Sequence, residues 1–93
     1  MTEASMTDPY QLQRKRLIFR ANHRGTKEAD LLLGRFAERY VPEFTSEQLQ
    51  QFDHLLTLSD PDIYDWVTGK NPIPSTHNTS VMALLASFRL INL

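Results

Sequence analysis

His23-Arg24-Gly25-Thr26-Lys27-Glu28-Ala29-Asp30 puts a glycine among charged residues at the point where one helix must stop and another begin. Glycine enters the left-handed backbone region that ends a helix at little steric cost, and the Thr26 hydroxyl is placed to cap the helix that follows. Glu28 then falls in the first turn of that helix, where its charge is favoured by about 0.3–1 kcal/mol. Downstream, Ala29, Leu32, Leu33, Phe36, Ala37 and Tyr40 recur with the spacing of one apolar helix face. Upstream, Asp8-Pro9 reads as an N-cap with proline in the first turn, opening a helix through Tyr10, Leu12, Leu17, Ile18 and Ala21. The string is thus a corner between two helices. A well-made αα-corner needs nothing more, yet it also displays several charged side chains at one place.

The remaining chain continues in helices with short breaks. Tyr40-Val41-Pro42 closes the second helix, because the residue before a proline is pushed out of helical geometry. Thr45-Ser46-Glu47-Gln48 is a capping box, followed by the apolar stripe Leu49, Phe52, Leu55 and Leu56. Asp60-Pro61 is expected to open a short fourth helix as Asp8-Pro9 opens the first, with Ile63, Tyr64, Trp66 and Val67 as its apolar content and Gly69 as its stop. A polar, proline-bearing connection from Lys70 to Asn78 leads to a last helix marked by Val81, Leu84, Leu85 and Phe88. The expected fold is all-α, a single-domain bundle of five helices over residues 8–93, preceded by a flexible tail over residues 1–7.

Composition narrows the function classes. Ninety-three residues suit one small core, and a deep catalytic cleft would be cramped within it. There is no cysteine, which excludes disulfides, thiolate metal sites and a cysteine nucleophile. No apolar run approaches the roughly 20 residues needed to cross a bilayer, and the first residues do not read as a signal peptide. No direct membrane insertion is expected, and the expected location is a bacterial cytoplasm, with the mitochondrial matrix as the second choice. His23, His54 and His77 lie in separate segments without the short spacing of a metal site, and read as surface histidines. Gly25, Gly34 and Gly69 are too scattered to cradle a dinucleotide, so no stably bound cofactor is expected and a direct catalytic role is disfavoured.

The formal net charge of −1 conceals an asymmetry. Eight of the ten basic residues lie between Arg14 and Arg39, whereas residues 43–65 hold Glu43, Glu47, Asp53, Asp60, Asp62 and Asp65 with no Lys or Arg. A basic first half could meet nucleic acid or an acidic protein, but the acidic middle would repel phosphate, which favours a protein partner. The two halves could equally neutralise each other across the bundle. Gly34, inside the second helix, suggests close packing there, and Trp66 reads as a core residue.

Two motifs carry a resemblance. Arg24-Gly25-Thr26-Lys27-Glu28, with Asp30 and the Leu31-Leu32-Leu33 run beyond, resembles the RGxxE signature of the succinate dehydrogenase assembly factor family, and Asp60-Pro61-Asp62-Ile63-Tyr64-Asp65-Trp66-Val67 resembles that family's downstream segment. The similarity runs over about residues 12 to 90, with the motifs in the family's order. It implies a small helical protein, not an enzyme, that binds the flavoprotein subunit of succinate dehydrogenase, and of fumarate reductase, and promotes covalent attachment of FAD to that client. It implies a partner-binding patch of Arg24, Gly25 and Glu28 flanked by His23, Lys27 and Asp30, with Arg24 pairing a client carboxylate or carbonyl. A monomer is expected. The alternatives from other classes are a helical nucleic-acid-binding regulator using Arg14, Lys15, Arg16 and Arg20, and a generic protein adaptor.

Overall fold

A computed structural model describes residues 8–92, so the expected tail over residues 1–7 lies outside the described residues. Five α-helices follow in order: α1 (Gln11–Ala21), α2 (Lys27–Tyr40), α3 (Ser46–Leu55), α4 (Asp60–Val67) and α5 (Ser80–Asn92). Short 3₁₀ turns stand at Val41–Glu43 and Ser75–His77, and no strand occurs among the described residues. The all-α bundle of five helices is therefore what the chain forms. α1 lies on α2 and α3, while α5 closes the bundle against α2, α3 and α4.

Phe36 is the hub of the core. It is fully buried on α2, and its ring meets Tyr40 at 5.1 Å, Phe44 at 6.1 Å, Phe52 of α3 at 5.6 Å and Phe88 of α5 at 5.6 Å. These tilted and edge-on contacts join α2, its C-terminal turn, α3 and α5 in one cluster, with geometry that aromatic quadrupoles favour. Leu17 and Ala21 bring α1 to this core, and Ile63 and Val67 bring α4.

Helix ends differ from the sequence expectation in ways that matter for the site. The first helix begins at Gln11, because Pro9 and Tyr10 form a turn in which Asp8 Oδ1 accepts from Tyr10 N at 2.9 Å. Tyr10, ahead of the helix, and Leu12, on its outward face, stay on the surface instead of joining the apolar face. Arg14 pairs with Asp8, holding that carboxyl below its usual value, and donates to the carbonyls of Val41 and Phe44 at 2.6 and 2.8 Å. Val41 keeps right-handed helical angles despite preceding Pro42, since the chain tightens into a 3₁₀ turn before Phe44 becomes extended. The capping box is present: Thr45 Oγ1 accepts from Gln48 N at 3.2 Å and Gln48 Oε1 from Thr45 N at 2.9 Å. At α4 the cap is Ser59, whose hydroxyl accepts from Asp62 N at 3.3 Å, and not Asp60. That shift of one residue releases the Asp60 carboxylate for another partner.

Candidate functional site

The corner is built by bonds from both sides. α1 ends at Asn22, still in right-handed geometry, so Gly25 does not cap it; with φ at +112° it bends the connection three residues further on. Nothing stands within 4 Å of a β-carbon placed at Gly25, so the backbone there is open to approach. Thr26 is extended and its Oγ1 accepts from Ala29 N at 3.2 Å, capping α2 as its position in the string predicts. Asp30 reaches back from the first turn of α2, its Oδ1 accepting from Arg24 N and from Gly25 N at 3.3 Å. The carboxylate sits where the helix dipole and two backbone donors all favour its charge.

Arg24, which the resemblance implies meets the client, turns inward in the chain itself. Its Nε donates to Asp60 Oδ1 at 2.9 Å and Nη2 lies 2.8 Å from the same oxygen as an ion pair, while Nη2 donates to the Leu58 carbonyl at 2.7 Å and Nη1 donates to the Leu56 carbonyl. The side chains of Arg24 and Asp60 are only 13% and 19% exposed. The physical reason is local: α3 ends at Leu56, leaving carbonyls without intrahelical donors, and the planar guanidinium fork satisfies two of the carbonyls there together with a carboxylate. Arg24 therefore ties the corner to the α3–α4 connection.

A second tie runs alongside. Tyr64 of α4 donates its hydroxyl to the Glu28 carbonyl at 2.8 Å. Burial pushes the Tyr64 phenol above its usual value, and the Glu28 charge adds to the effect. The two sequence motifs thus meet in space, joined by Arg24 with Asp60 and by Tyr64 with Glu28. Asp60 is expected from the sequence only to open α4 and Tyr64 only to add to its apolar content; their part in the site depends on where the chain folds back.

The remaining candidates are displayed. Gly25, Lys27 and Glu28 are exposed, and Leu31 is 41% exposed one turn further along α2. Grooves flank this ridge. One of about 610 Å³ is lined by Asn22, Asp30, Leu31, Arg35 and Glu38, and one of about 350 Å³ by Glu28, Leu31, Tyr64 and Arg89. His23 stacks on Phe19 at 4.0 Å between ring centroids, and its Nδ1 lies 2.7 Å from the Phe19 carbonyl. A carbonyl only accepts, so the tautomer with the proton on Nδ1 fits this contact. Asn22 is seated on Gly34: a β-carbon there would come within 2.2 Å of Asn22 Oδ1, the close packing expected of that glycine.

Elsewhere, histidines distant in sequence converge. His77 stacks between Trp66 at 5.2 Å and His54 at 5.4 Å, so Trp66 is half-buried, packed on the edge of the core and against the connection before α5. Among the described residues no three His, Asp or Glu side chains are grouped to hold a metal ion, and no helix is long and apolar enough to cross a membrane. The basic and acidic halves do meet, through Arg20 with Asp53 at 2.6 Å and through Arg24 with Asp60.

Comparison with known proteins gives a consistent result. Residues 15–89 match the family model described as flavinator of succinate dehydrogenase. The chain is 41% identical over 70 residues to the FAD assembly factor SdhE of Acetobacter pasteurianus, covering 75% of this chain and 64% of that protein. It is 39% identical over 80 residues to the mitochondrial succinate dehydrogenase assembly factor 2-B of Drosophila ananassae and likewise to the 2-A protein of Drosophila erecta, covering 84% of this chain and 49% of each of those. The chain thus spans under two thirds of the bacterial relative and about half of the insect ones.

Proposed function

The chain belongs to the succinate dehydrogenase flavinator family, and on that basis we propose that it binds the flavoprotein subunit of succinate dehydrogenase and promotes covalent attachment of FAD to it. Fumarate reductase's flavoprotein is the second client. The observation that carries this reading is the pairing of the two motifs: Arg24 with Asp60 and Tyr64 with the Glu28 carbonyl hold the Gly25-to-Leu31 ridge as one preset surface. A surface fixed before contact loses less conformational freedom on binding.

In this reading FAD belongs to the client. The larger groove sets Lys27 and Arg35 beside Asp30 and Glu38, a mixed lining that does not suit a dinucleotide's diphosphate. The protein acts by association and not as an enzyme. It favours the client conformation in which the flavin and its acceptor histidine are aligned, and its effect is bounded by its differential affinity for that state, with about 1.4 kcal/mol of preference giving a tenfold population change. Gly25 admits the client backbone, Glu28 and Lys27 offer charges of both signs, and Leu31 supplies apolar contact; Arg24 and Asp30 keep the corner in shape. A monomer is sufficient for this, in a bacterial cytoplasm or a mitochondrial matrix.

The test is to recover the tagged protein from its own cells as wild type and as Gly25→Arg, and to read covalent flavin fluorescence in the flavoprotein subunit. Wild type should recover that subunit, and the variant's cells should carry less covalent flavin. Unchanged flavinylation with no flavoprotein recovered returns the corner to being a turn.

A further inference from the structure

The side of α1 that faces away from the core has its own character. Leu12 and Phe19 are 60% and 63% exposed, the two largest exposures among the large apolar side chains of the described residues. Seven residues separate them, so they lie on one helix face about 10.5 Å apart. Lys15 and Arg16 flank them, both exposed, and among the described residues neither takes part in an ion pair. The helix from Gln11 to Ala21 contains no Asp or Glu. Leu17 and Ala21, on the opposite side, already anchor α1 to the core, so folding makes no use of the outward pair. Phe19 in turn stacks on His23, the first residue of the corner string, which makes the strip and the corner one continuous surface.

We propose that this α1 face is a second docking strip for the client flavoprotein, fitting an apolar groove with acidic edges; the inference rests on the assembly-factor reading above. Leu12 and Phe19 enter the groove, and Lys15 and Arg16 meet the acids on its rim. A helix with a seven-residue apolar repeat and basic flanks suits groove-and-rim recognition by a protein. Two apolar side chains with two cations give a bilayer only marginal hold. The strip would fix the orientation in which the corner is presented, since contacts at both ends of α1 leave the client one register.

The experiment measures binding of the full chain to purified apo-flavoprotein subunit, at low and moderate salt, for wild type, Leu12→Ser with Phe19→Ser, Lys15→Glu with Arg16→Glu, and Gly25→Arg. The apolar pair should weaken binding at least about tenfold, as loss of interface anchors does. Charge reversal should act on the association rate and shrink as salt rises. Thermal melts should stay near wild type, and the charge-reversal pair, at two exposed positions, keeps the test open if the serine pair melts early. If both α1 pairs bind like wild type while Gly25→Arg fails, the strip is overturned and the assembly reading stands. If wild type itself does not bind the client, the assembly reading falls and the strip with it. If the α1 pairs keep client affinity but lose sedimentation with vesicles of phosphatidylcholine and phosphatidylglycerol, the face serves lipid and the proposal is overturned.

Discussion

Breaking the tie between Arg24 and Asp60 should cost the fold more than any other single polar change at the site, and the cost should be shared between the two residues. Arg24 makes four contacts with three acceptors in a setting where its side chain is 13% exposed. Arg24→Met removes the donors but keeps the length, leaving the Leu56 and Leu58 carbonyls and the Asp60 carboxylate without them. At about 1–3 kcal/mol for a buried group so stranded, less where water can enter, the loss is about 3–4 kcal/mol. Asp60→Asn keeps the shape and one acceptor while removing the countercharge, with Arg24 still held by two carbonyls, so about 1.5–2.5 kcal/mol is expected. Once Arg24 is gone, the second change has little left to break. The double variant should therefore cost about as much as Arg24→Met alone, a coupling of about 1.5–2.5 kcal/mol.

A domain of this size has roughly 5–14 kcal/mol of stability to lose, so all three variants should remain folded at room temperature and be measurable by urea titration. Each kcal/mol corresponds to about 4–8 °C in Tm, which puts Arg24→Met roughly 12–30 °C below wild type. Losses that simply add in the double variant, to within about 0.5 kcal/mol, would mean that the two side chains do not stabilise each other and would refute the tie.

Four other outcomes follow from the same geometry. Tyr64→Phe should cost about 0.5–1 kcal/mol through its bond to the Glu28 carbonyl. Because the folded state raises the Tyr64 pKa above 10.0, its contribution is fully present below pH 10.0 and is lost as pH rises through the folded-state value; stability curves of wild type and variant that fall identically on the alkaline side would contradict this. Gly34→Ala should destabilise despite alanine's helix preference of about 1 kcal/mol, because the new β-carbon displaces Asn22, and adding Asn22→Ala should recover part of the loss in thermal melts. Gly25→Ala has open space but a positive φ, so a cost of about 1–2 kcal/mol is expected; Gly25→Arg should cost the same in stability, and client binding lost only by the arginine variant then reports a contact and not the fold. Glu28→Ala should leave urea midpoints nearly unchanged while weakening client binding, whereas a large stability loss would make Glu28 a capping residue.

The helices were legible because their signals are local. Thr26 and Thr45 cap by bonds spanning three residues, Gly69 stops α4 with a positive φ, and the α2 stripe from Ala29 to Ala37 is buried throughout. What was not legible depends on contacts across the chain. Asp60 was read as a cap because Asp-Pro before an apolar run is a good start signal, yet Ser59 stands one residue earlier and does the same work. Only the fold shows that Arg24, 36 residues away, needs the carboxylate so released. The first helix misled for a related reason: Leu12 falls five residues before buried Leu17, nearly on the opposite side of the helix, and the apolar content was read without that phase. The convergence of His54, His77 and Trp66 likewise rests on the return of the chain before α5 and leaves no local trace.

The arrangement divides labour within the RGxxE string. Arg24 is consumed inside the chain, Gly25 keeps space clear, and Glu28 is displayed, while its own carbonyl is pinned from behind by Tyr64. An arginine left outside would pay rotamer entropy on meeting a partner, and one with its fork already filled stiffens the corner before the encounter. The string therefore keeps its shape as a unit with the second motif: without Asp60 the Arg24 guanidinium would lose its countercharge, and without Tyr64 the first turn of α2 would lose a fixed point. That dependence explains why two short segments far apart in sequence mark one surface, and why damage to α4, which carries little of the exposed ridge itself, should be felt at the corner.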